Sequence, residues 1–595
     1  MLTAFTAPAF AGTWYIEDGD ITISAGESGN NVTQNENTTE NDPDTIITNR
    51  EKGASSHTVT IDAKDKDDKV EVTLKDVNID ASSRSEAAVS VTGKGDTTIE
   101  LDGDNELKSG AGHAGLEHNK TDTSGELTIQ DKDNNGSLEA AGGFKGAGIG
   151  SAGSNDAQVK ITGGNITATS DDWGAGIGSG SYGTGTVEIT GGEINATGGY
   201  LGAGIGGGCN GSGNVTISGG TITAAGSDGA AGIGGGYYNG ATVTITGDAV
   251  IKNASTTVYG AGIGGGNGYD GDVTISGNAK IENATGGYGA AGIGGGAFSS
   301  PDKIGNGNVV IKDNAKIDNV QGGAYGAGIG GGIYGLSNVT IEGNTKVNAT
   351  GGAGGAAIGG GAGAENNSDN NGNQITIKSN ENGSPTINAV GGGTDEGEEI
   401  VIGGAGIGAG CESDADADIT LEGKVTITAT AGKDNVAIGA NGIEQEFSGL
   451  AEGSSITRYD SEGNDTSLPG DKVPVTPVVP DDTSSGGSAD ASVQESVFPG
   501  LVVTDKDGQR ISYTSIRGNN VLSLRVGRFT ASLRASLATL RQLRAEGIDT
   551  ITFQTILCST SLSVDELLAM GGEDTEVVLT HHIRSSALTV GGKAV

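Results

Sequence analysis

Six aromatic residues, Phe144, Trp173, Tyr200, Tyr259, Tyr288 and Tyr325, each stand four or five positions before an isoleucine in a recurring phrase close to Gly-Ala-Gly-Ile-Gly-Gly-Gly. Set at one position of a stacked repeat, these rings would form a ladder. Beside them would run the glycines that flank each isoleucine: Gly148/Gly150, Gly176/Gly178, Gly204/Gly206, Gly232/Gly234, Gly262/Gly264, Gly292/Gly294 and Gly328/Gly330. If isoleucine points inward, these glycines point outward and leave a smooth trough. Aromatic rings next to such a trough suit the apolar faces of sugar rings. Glycine in a strand costs roughly 0.5–1 kcal/mol relative to alanine, so its repetition reads as close approach to the backbone. The competing reading is that the glycines bend the chain and the rings pad a corner.

Carboxylates give the next candidate. Asp414-Ala-Asp416-Ala-Asp418 places three of them on one side of an extended segment, an oxygen cluster suited to a hard cation such as calcium. Asp131-x-Asp133-x-Asn135-Gly136 begins like a calcium loop, but its twelfth position is Gly142 in place of the bidentate glutamate. Both also read as solvated acidic turns. Apart from calcium, no cofactor is expected. The three cysteines, Cys209, Cys411 and Cys558, form no Cys-x-x-Cys pair, so zinc is not supported. Cys209 and Cys411 fall on the same corner of the repeat but many turns apart, beyond disulfide reach.

The elements that must position these groups follow from the period. The isoleucines Ile149, Ile177, Ile205 and Ile233 are spaced 28 residues apart. They continue at Ile263, Ile293 and Ile329, with weaker copies at Ile358, Ile407 and Ile438. One repeat contains Val215-Thr216-Ile217, Ile222-Thr223-Ala224 and Ala231-Gly232-Ile233-Gly234, three short alternating stretches with no helical spacing. A fixed period built from short strands means stacked units. The spacing therefore predicts an all-β fold: a right-handed parallel β-helix of about 12 turns, each of about 28–30 residues with three short strands, plus a small C-terminal α+β domain. The first strand can be followed from Val72 to Ile419, and stacking at about 4.8 Å per turn gives a rod of roughly 55–60 Å. Asn253, Asn283 and Asn319 keep the strand spacing and are expected to stack as an internal ladder.

Residues 1–11 end in Ala9-Phe10-Ala11 and read as the remnant of a secretory signal peptide, implying an extracellular or cell-surface protein. Residues 12–58 are the expected N-terminal cap and 59–443 the repeat domain. Residues 444–497 are the expected linker, with Pro469, Pro474, Pro477 and Pro480 before a Ser/Gly run, and 498–595 the C-terminal module. In that module Phe529, Leu533, Leu537, Leu540 and Leu543 have helical spacing, and Ser563-x-x-Glu566 is a capping box. No run of 18 apolar residues predicts a transmembrane helix. The formal charge of −41 argues against nucleic acid as a partner.

Val72-Thr-Leu-Lys-Asp-Val-Asn-Ile-Asp-Ala, Thr98-Ile-Glu-Leu-Asp-Gly-Asp-Asn, Ser109-Gly-Ala-Gly-His-Ala-Gly-Leu and the Gly-Ala-Gly-Ile-Gly-Gly-Gly turns carry a resemblance. Over roughly residues 12–445 the chain resembles the secreted, carbohydrate-binding-domain-type β-helix surface proteins of anaerobic gut Firmicutes, whose architecture is pectate-lyase-like. The resemblance implies a β-helix architecture without catalysis, is distinctive for no particular ligand and assigns no individual binding residue. Pectate-type lyases use an arginine base with calcium-bound aspartates, yet no arginine lies between Arg84 and Arg458 and no histidine between His118 and His581. The expectation is therefore a non-catalytic secreted or surface protein that binds a polysaccharide or host glycan, or acts as an adhesin. The alternatives are a structural stalk presenting the C-terminal module and, third, a polysaccharide lyase.

Overall fold

A computed structural model describes residues 12–298, 303–366, 372–394 and 402–474, and most of 501–594. The expected signal remnant (1–11) and residues 475–497 of the expected linker lie outside the described residues. Two compact units divide near residue 478.

The first unit is a parallel β-helix. One turn comprises Gly213–Ile217, Thr221–Ala225 and Ile233–Gly234. Each strand pairs in parallel and in register with its counterparts one turn away, so Val187, Val215, Val243 and Val273 stack in one column and Ile205, Ile233 and Ile263 in another. Alternation sets which side chains enter the core: Val215 and Ile217 are buried while Asn214 and Thr216 are exposed. The result is one apolar core running from Ile16 to Ile456. Burial of each isoleucine within it contributes about 1.5–3 kcal/mol.

The rod has about 16 turns rather than the expected 12. At the N-terminal end, Thr13–Tyr15 pairs in parallel with Thr45–Thr48, which pairs in turn with Lys69–Lys75. The segment expected to be only a cap thus already supplies rungs. Its true cap is local: Ile21–Ala25, Asn30–Gln34 and Asn37–Asp42 form antiparallel pairs that cover the first edge.

At the other end the structure corrects the expected linker boundary at 444. Ile443–Glu444 turns back antiparallel on Ile438–Ala440, and Ser455–Tyr459 adds a parallel rung to Thr426–Thr430. Arg458 closes this end with no solvent exposure. Its guanidinium donates from Nε and Nη2 to the Asp471 carboxylate at 2.8 and 3.0 Å, from Nη1 to Glu444 at 2.5 Å and from Nη2 to the Gln445 carbonyl at 2.8 Å. A buried cation this fully paired ties 444–471 to the last turns. Composition alone gave no sign of the ion pairs that order this proline-containing stretch.

The expected internal asparagine ladder is external. Asn319 Nδ2 donates to Asn283 Oδ1 at 3.1 Å, with Asn319 on the solvent face. A second outward ladder runs from Asn344 through Asn314 and Asn278 to Asp248, with links of 3.1, 3.3 and 3.0 Å. Asn253, Asn283 and Asn319 fall where two residues rather than one separate the flanking buried positions, Ile251/Ala254, Ile281/Ala284 and Ile317/Val320, and this irregularity of the strand turns the amides outward.

Among its described residues the second unit holds a five-stranded sheet, a four-stranded sheet and two helices. Its first helix spans Leu537–Ala545, capped by Ser536, whose hydroxyl accepts from the Thr539 amide at 3.1 Å. The helix expected from Phe529 onward is therefore shorter: Ala531–Ser536 is a strand paired antiparallel with Glu576–His581, and Phe529 lies outside the described residues. Ala531, Leu533 and Ala535 alternate with Ser532, Arg534 and Ser536, a period of two that tertiary pairing selects over the leucine spacing. Val564–Leu568 is the helix that the Ser563 capping box announces. Among the described residues no helix is long and apolar enough to cross a membrane.

Two stability tests follow. Gly234 has φ 141°, and a Cβ there would fall on the Gly264 carbonyl oxygen of the next turn. Gly234→Ala is expected to cost about 2–4 kcal/mol in chemical denaturation. Gly53→Ala, which meets nothing within 4 Å, should stay within about 0.5 kcal/mol of the parent. Arg458→Met strands the buried Asp471 carboxylate and is expected to cost about 3–5 kcal/mol, read as earlier unfolding of the C-terminal end by hydrogen exchange.

Candidate functional site

The glycines beside each isoleucine do not form an open trough, which corrects the expectation of a bare outward face. Gly148 and Gly150 are buried, as are their counterparts through Gly328 and Gly330. A Cβ on Gly148 would meet the Gly176 carbonyl oxygen at 2.6 Å and the Thr169 amide nitrogen at 2.7 Å. A Cβ on Gly150, at φ 139°, would fall on the Gly178 carbonyl oxygen. From Ile149–Gly150 through Ile407–Gly408 the third strand is only two residues long and packs its backbone against neighbouring backbone, so glycine is sterically required there.

The aromatic residues lie at the corner before that strand. Four residues before every isoleucine from Ile149 to Ile358 the backbone is left-handed: Lys145, Trp173, Leu201, Gly229, Tyr259, Gly289, Tyr325 and Gly354 all have φ between 59° and 93°. Trp173, Tyr259 and Tyr325 occupy this slot and are half-buried. Phe144, Tyr200 and Tyr288 stand one residue earlier and are exposed, at 42, 51 and 45%.

The structure brings these rings together in two runs. Phe144 and Trp173 lie 5.4 Å apart, with the Lys145 ammonium 5.3 and 5.1 Å from their centroids. Tyr259, Tyr288 and Tyr325 form an edge-to-face series at 6.1 and 5.5 Å. Tyr200 follows Trp173 by one turn, and its carbonyl accepts from the Trp173 amide at 3.0 Å. The series breaks at the next turn, where Asp228 and Gly229 occupy the corner. Two short platforms of rings with a spacing set by the rungs can stack successive sugar faces.

Sequence reasoning missed a second aromatic corner, five residues after the isoleucine. Tyr182, Tyr238 and Tyr334 are left-handed there at φ 60–65°, and Gly268 and Gly363 fill the same slot elsewhere. Tyr182 is 57% exposed. The signal was the shared offset of Tyr182, Tyr238, Phe298 and Tyr334 from Ile177, Ile233, Ile293 and Ile329, readable once the repeat is aligned on both sides of the isoleucine.

Asp414, Asp416 and Asp418 are all exposed on the outward side of their segment. They do not converge: Asp416 accepts from Asn366 Nδ2 at 3.3 Å, and no group of three or more metal-ligating side chains gathers among the described residues.

The rod's first turns also carry paired titratable groups. Arg84 bridges Asp20 at 2.8 Å and Glu86 at 2.5 Å. Partial burial opposes ionisation of Asp20, but the Arg84 guanidinium, the Thr58 amide and His57 hold its carboxyl down to about 2. His113 Nδ1 lies 2.8 Å from the buried Glu117 carboxylate, which also accepts from Asn119 and the Ala114 amide. These are self-satisfied polar networks.

A family model described as a beta helix repeat matches residues 159–181, 187–209, 215–237 and 273–297. These matched turns, which carry Trp173, Tyr200 and Tyr237, are similar to β-helix repeats, in keeping with the parallel β-helix of the fold. No curated protein and no solved structure matches the chain.

The cysteines provide a pH test of the corners. Burial pushes the Cys209 and Cys411 thiols up to about 11, while Cys558 is half-buried. Because the thiolate is the reactive form, an alkylating reagent at mildly alkaline pH is expected to label Cys558 first. Labelling of Cys209 and Cys411 should rise only as the pH approaches their raised values, or at once in denaturant. Peptide mass mapping reads the order.

Proposed function

We propose that the rod is a non-catalytic glycan-binding surface of a secreted or cell-surface protein, acting as an adhesin or polysaccharide-binding module through its aromatic corner. One observation carries this reading. Trp173, Tyr259 and Tyr325 occupy a left-handed backbone slot that glycine fills in the turns of Gly229, Gly289 and Gly354. A bulky residue in that conformation costs roughly 1–2 kcal/mol, so the backbone does not ask for an aromatic there. Strain kept at a surface position points to a use for the ring.

The surroundings fit a sugar ligand. Rings at 5.4–6.1 Å from their neighbours offer stacking faces, and the glycine-packed strand beside them leaves the corner rigid. The strongly acidic chain, at −41, favours neutral or amine-bearing saccharides over polyanions.

The test separates strain from function. In a Trp173→Gly, Tyr259→Gly, Tyr288→Ala variant, thermal stability is expected to hold or rise, because glycine relieves two left-handed positions. Retention on immobilised polysaccharides, or signal on a glycan array, is expected to fall at least about tenfold, as each stacked ring contributes about 0.5–1.5 kcal/mol. Unchanged retention with lowered stability would make the rings corner padding and the rod a stalk.

A further inference from the structure

The second corner carries a group that the glycan reading does not use. Ile293 and Ile329 are 36 residues apart where the two preceding gaps are 30, and Lys303 lies in that longer turn. Its ammonium sits 4.3 Å from the Tyr238 ring centroid, 5.4 Å from Tyr269 and 5.7 Å from Phe298. The three rings come from three successive turns, after Ile233, Ile263 and Ile293. Tyr238 and Phe298 are themselves 5.8 Å apart, and the Tyr237 ring packs tilted against Tyr238 at 3.9 Å. Among the described residues, ring faces rather than a carboxylate hold this ammonium.

Beside the rings lies an open cavity of about 480 Å³, whose lining includes Asn214, Thr242, Tyr269, Asp270, Asp272 and Lys303. Asp270 and Asp272 face the cavity as hydrogen-bond acceptors from the Asn306 amide and Asn308 Nδ2, both at 2.7 Å. Three ring faces, two carboxylates and a chain of charge −41 all favour a cation and disfavour an anion. The cavity is of the size that holds the remainder of a small ligand.

We propose that Tyr238, Tyr269 and Phe298 form a recognition cage for an organic ammonium group, and that the Lys303 side chain is its internal occupant. Lys303 is exposed, so its side chain can rotate into solvent when a ligand ammonium takes its place, with the ligand body in the adjoining cavity. Two sources share this chemistry: a quaternary ammonium of the choline type and the protonated amine of an amino sugar. Tyr238 also occupies a left-handed position, φ 60°, which glycine fills at Gly268 and Gly363. The ring is therefore kept against the backbone preference here too. The proposal stands apart from the glycan-binding corner, because it uses different residues and a different side of each isoleucine.

Isothermal titration of the full chain with choline, and separately with glucosamine at a pH that keeps its amine protonated, tests it. Lys303→Ala removes the internal competitor and is expected to bind at least one of the two about tenfold tighter than the parent. Adding Tyr238→Ala is expected to abolish that binding, while Tyr238→Phe in the same background retains most of it. Choline binding alone assigns a quaternary ammonium ligand, and glucosamine binding alone assigns an amino sugar. Binding of neither by Lys303→Ala, or binding indifferent to Tyr238→Ala, overturns the proposal. Whichever ammonium binds Lys303→Ala should still bind when Trp173→Gly, Tyr259→Gly and Tyr288→Ala are added, so loss of polysaccharide retention and loss of ammonium binding are separate results.

Discussion

Backbone-to-backbone contact at the glycine column is the constraint on which the rod depends. In each turn the second and third strands approach so closely that Gly148, Gly176 and their counterparts have a carbonyl oxygen or amide nitrogen of a neighbouring strand where a Cβ would be. Isoleucine on one side of that strand fills the core, and nothing larger than hydrogen fits on the other. Two residues per turn are thereby invariant in geometry, which holds the columns Ile205, Ile233 and Ile263 in register despite turns of different length. Variation is left to the corners. There side chains reach solvent and additional residues can be accommodated without disturbing a rung.

The two corners use the same local device. A left-handed residue before the third strand and another after it turn the chain sharply, and these slots hold glycine, an aromatic or another side chain such as Lys145, Leu201, Ser154 and Asn210. Where it is glycine the turn is closed at the lowest conformational cost. Where it is tryptophan or tyrosine, the ring is projected from a backbone that cannot flex, because its neighbours on both sides are held by rung hydrogen bonds. Rigid aromatic anchors lose little entropy on binding. The proposed binding rings thus sit on the part of each turn where side-chain identity varies most.

Much of the fold was legible in the chain, for a physical reason. Stacked turns repeat one environment, so Val187, Val215 and Val243, or Ile177, Ile205 and Ile233, announce period and strand parity together. Parity then misled at the glycines. The rule that alternate residues face opposite ways assumes a regular extended strand, and Gly150 at φ 139° in a two-residue strand does not meet it. The aromatic positions were legible, but their division into half-buried left-handed residues and exposed neighbours was not, since it turns on a one-residue offset in backbone conformation. The rod's C-terminal end was hidden for a different reason. Arg458, Glu444 and Asp471 are brought together by folding over 13 and 14 residues, and no local pattern encodes that meeting. The strand Ala531–Ser536 shows the same limit. Its sequence satisfies two periods, and only pairing with Glu576–His581 decides between them.

The hydrogen bonds between turns run along the rod, as the column pairings of each strand show. A pull on the chain ends would therefore load the turns one after another rather than all at once, and the rod would unwind from its ends like a spring peeled from its last coil. Resistance to such a pull is set first by the closing contacts. At the C-terminal end these are the buried Arg458 guanidinium and its carboxylates Asp471 and Glu444. An interior column, however long, is not tested until that clasp opens. At that end, the first resistance to a pull comes from a residue in the stretch whose composition reads as a tether.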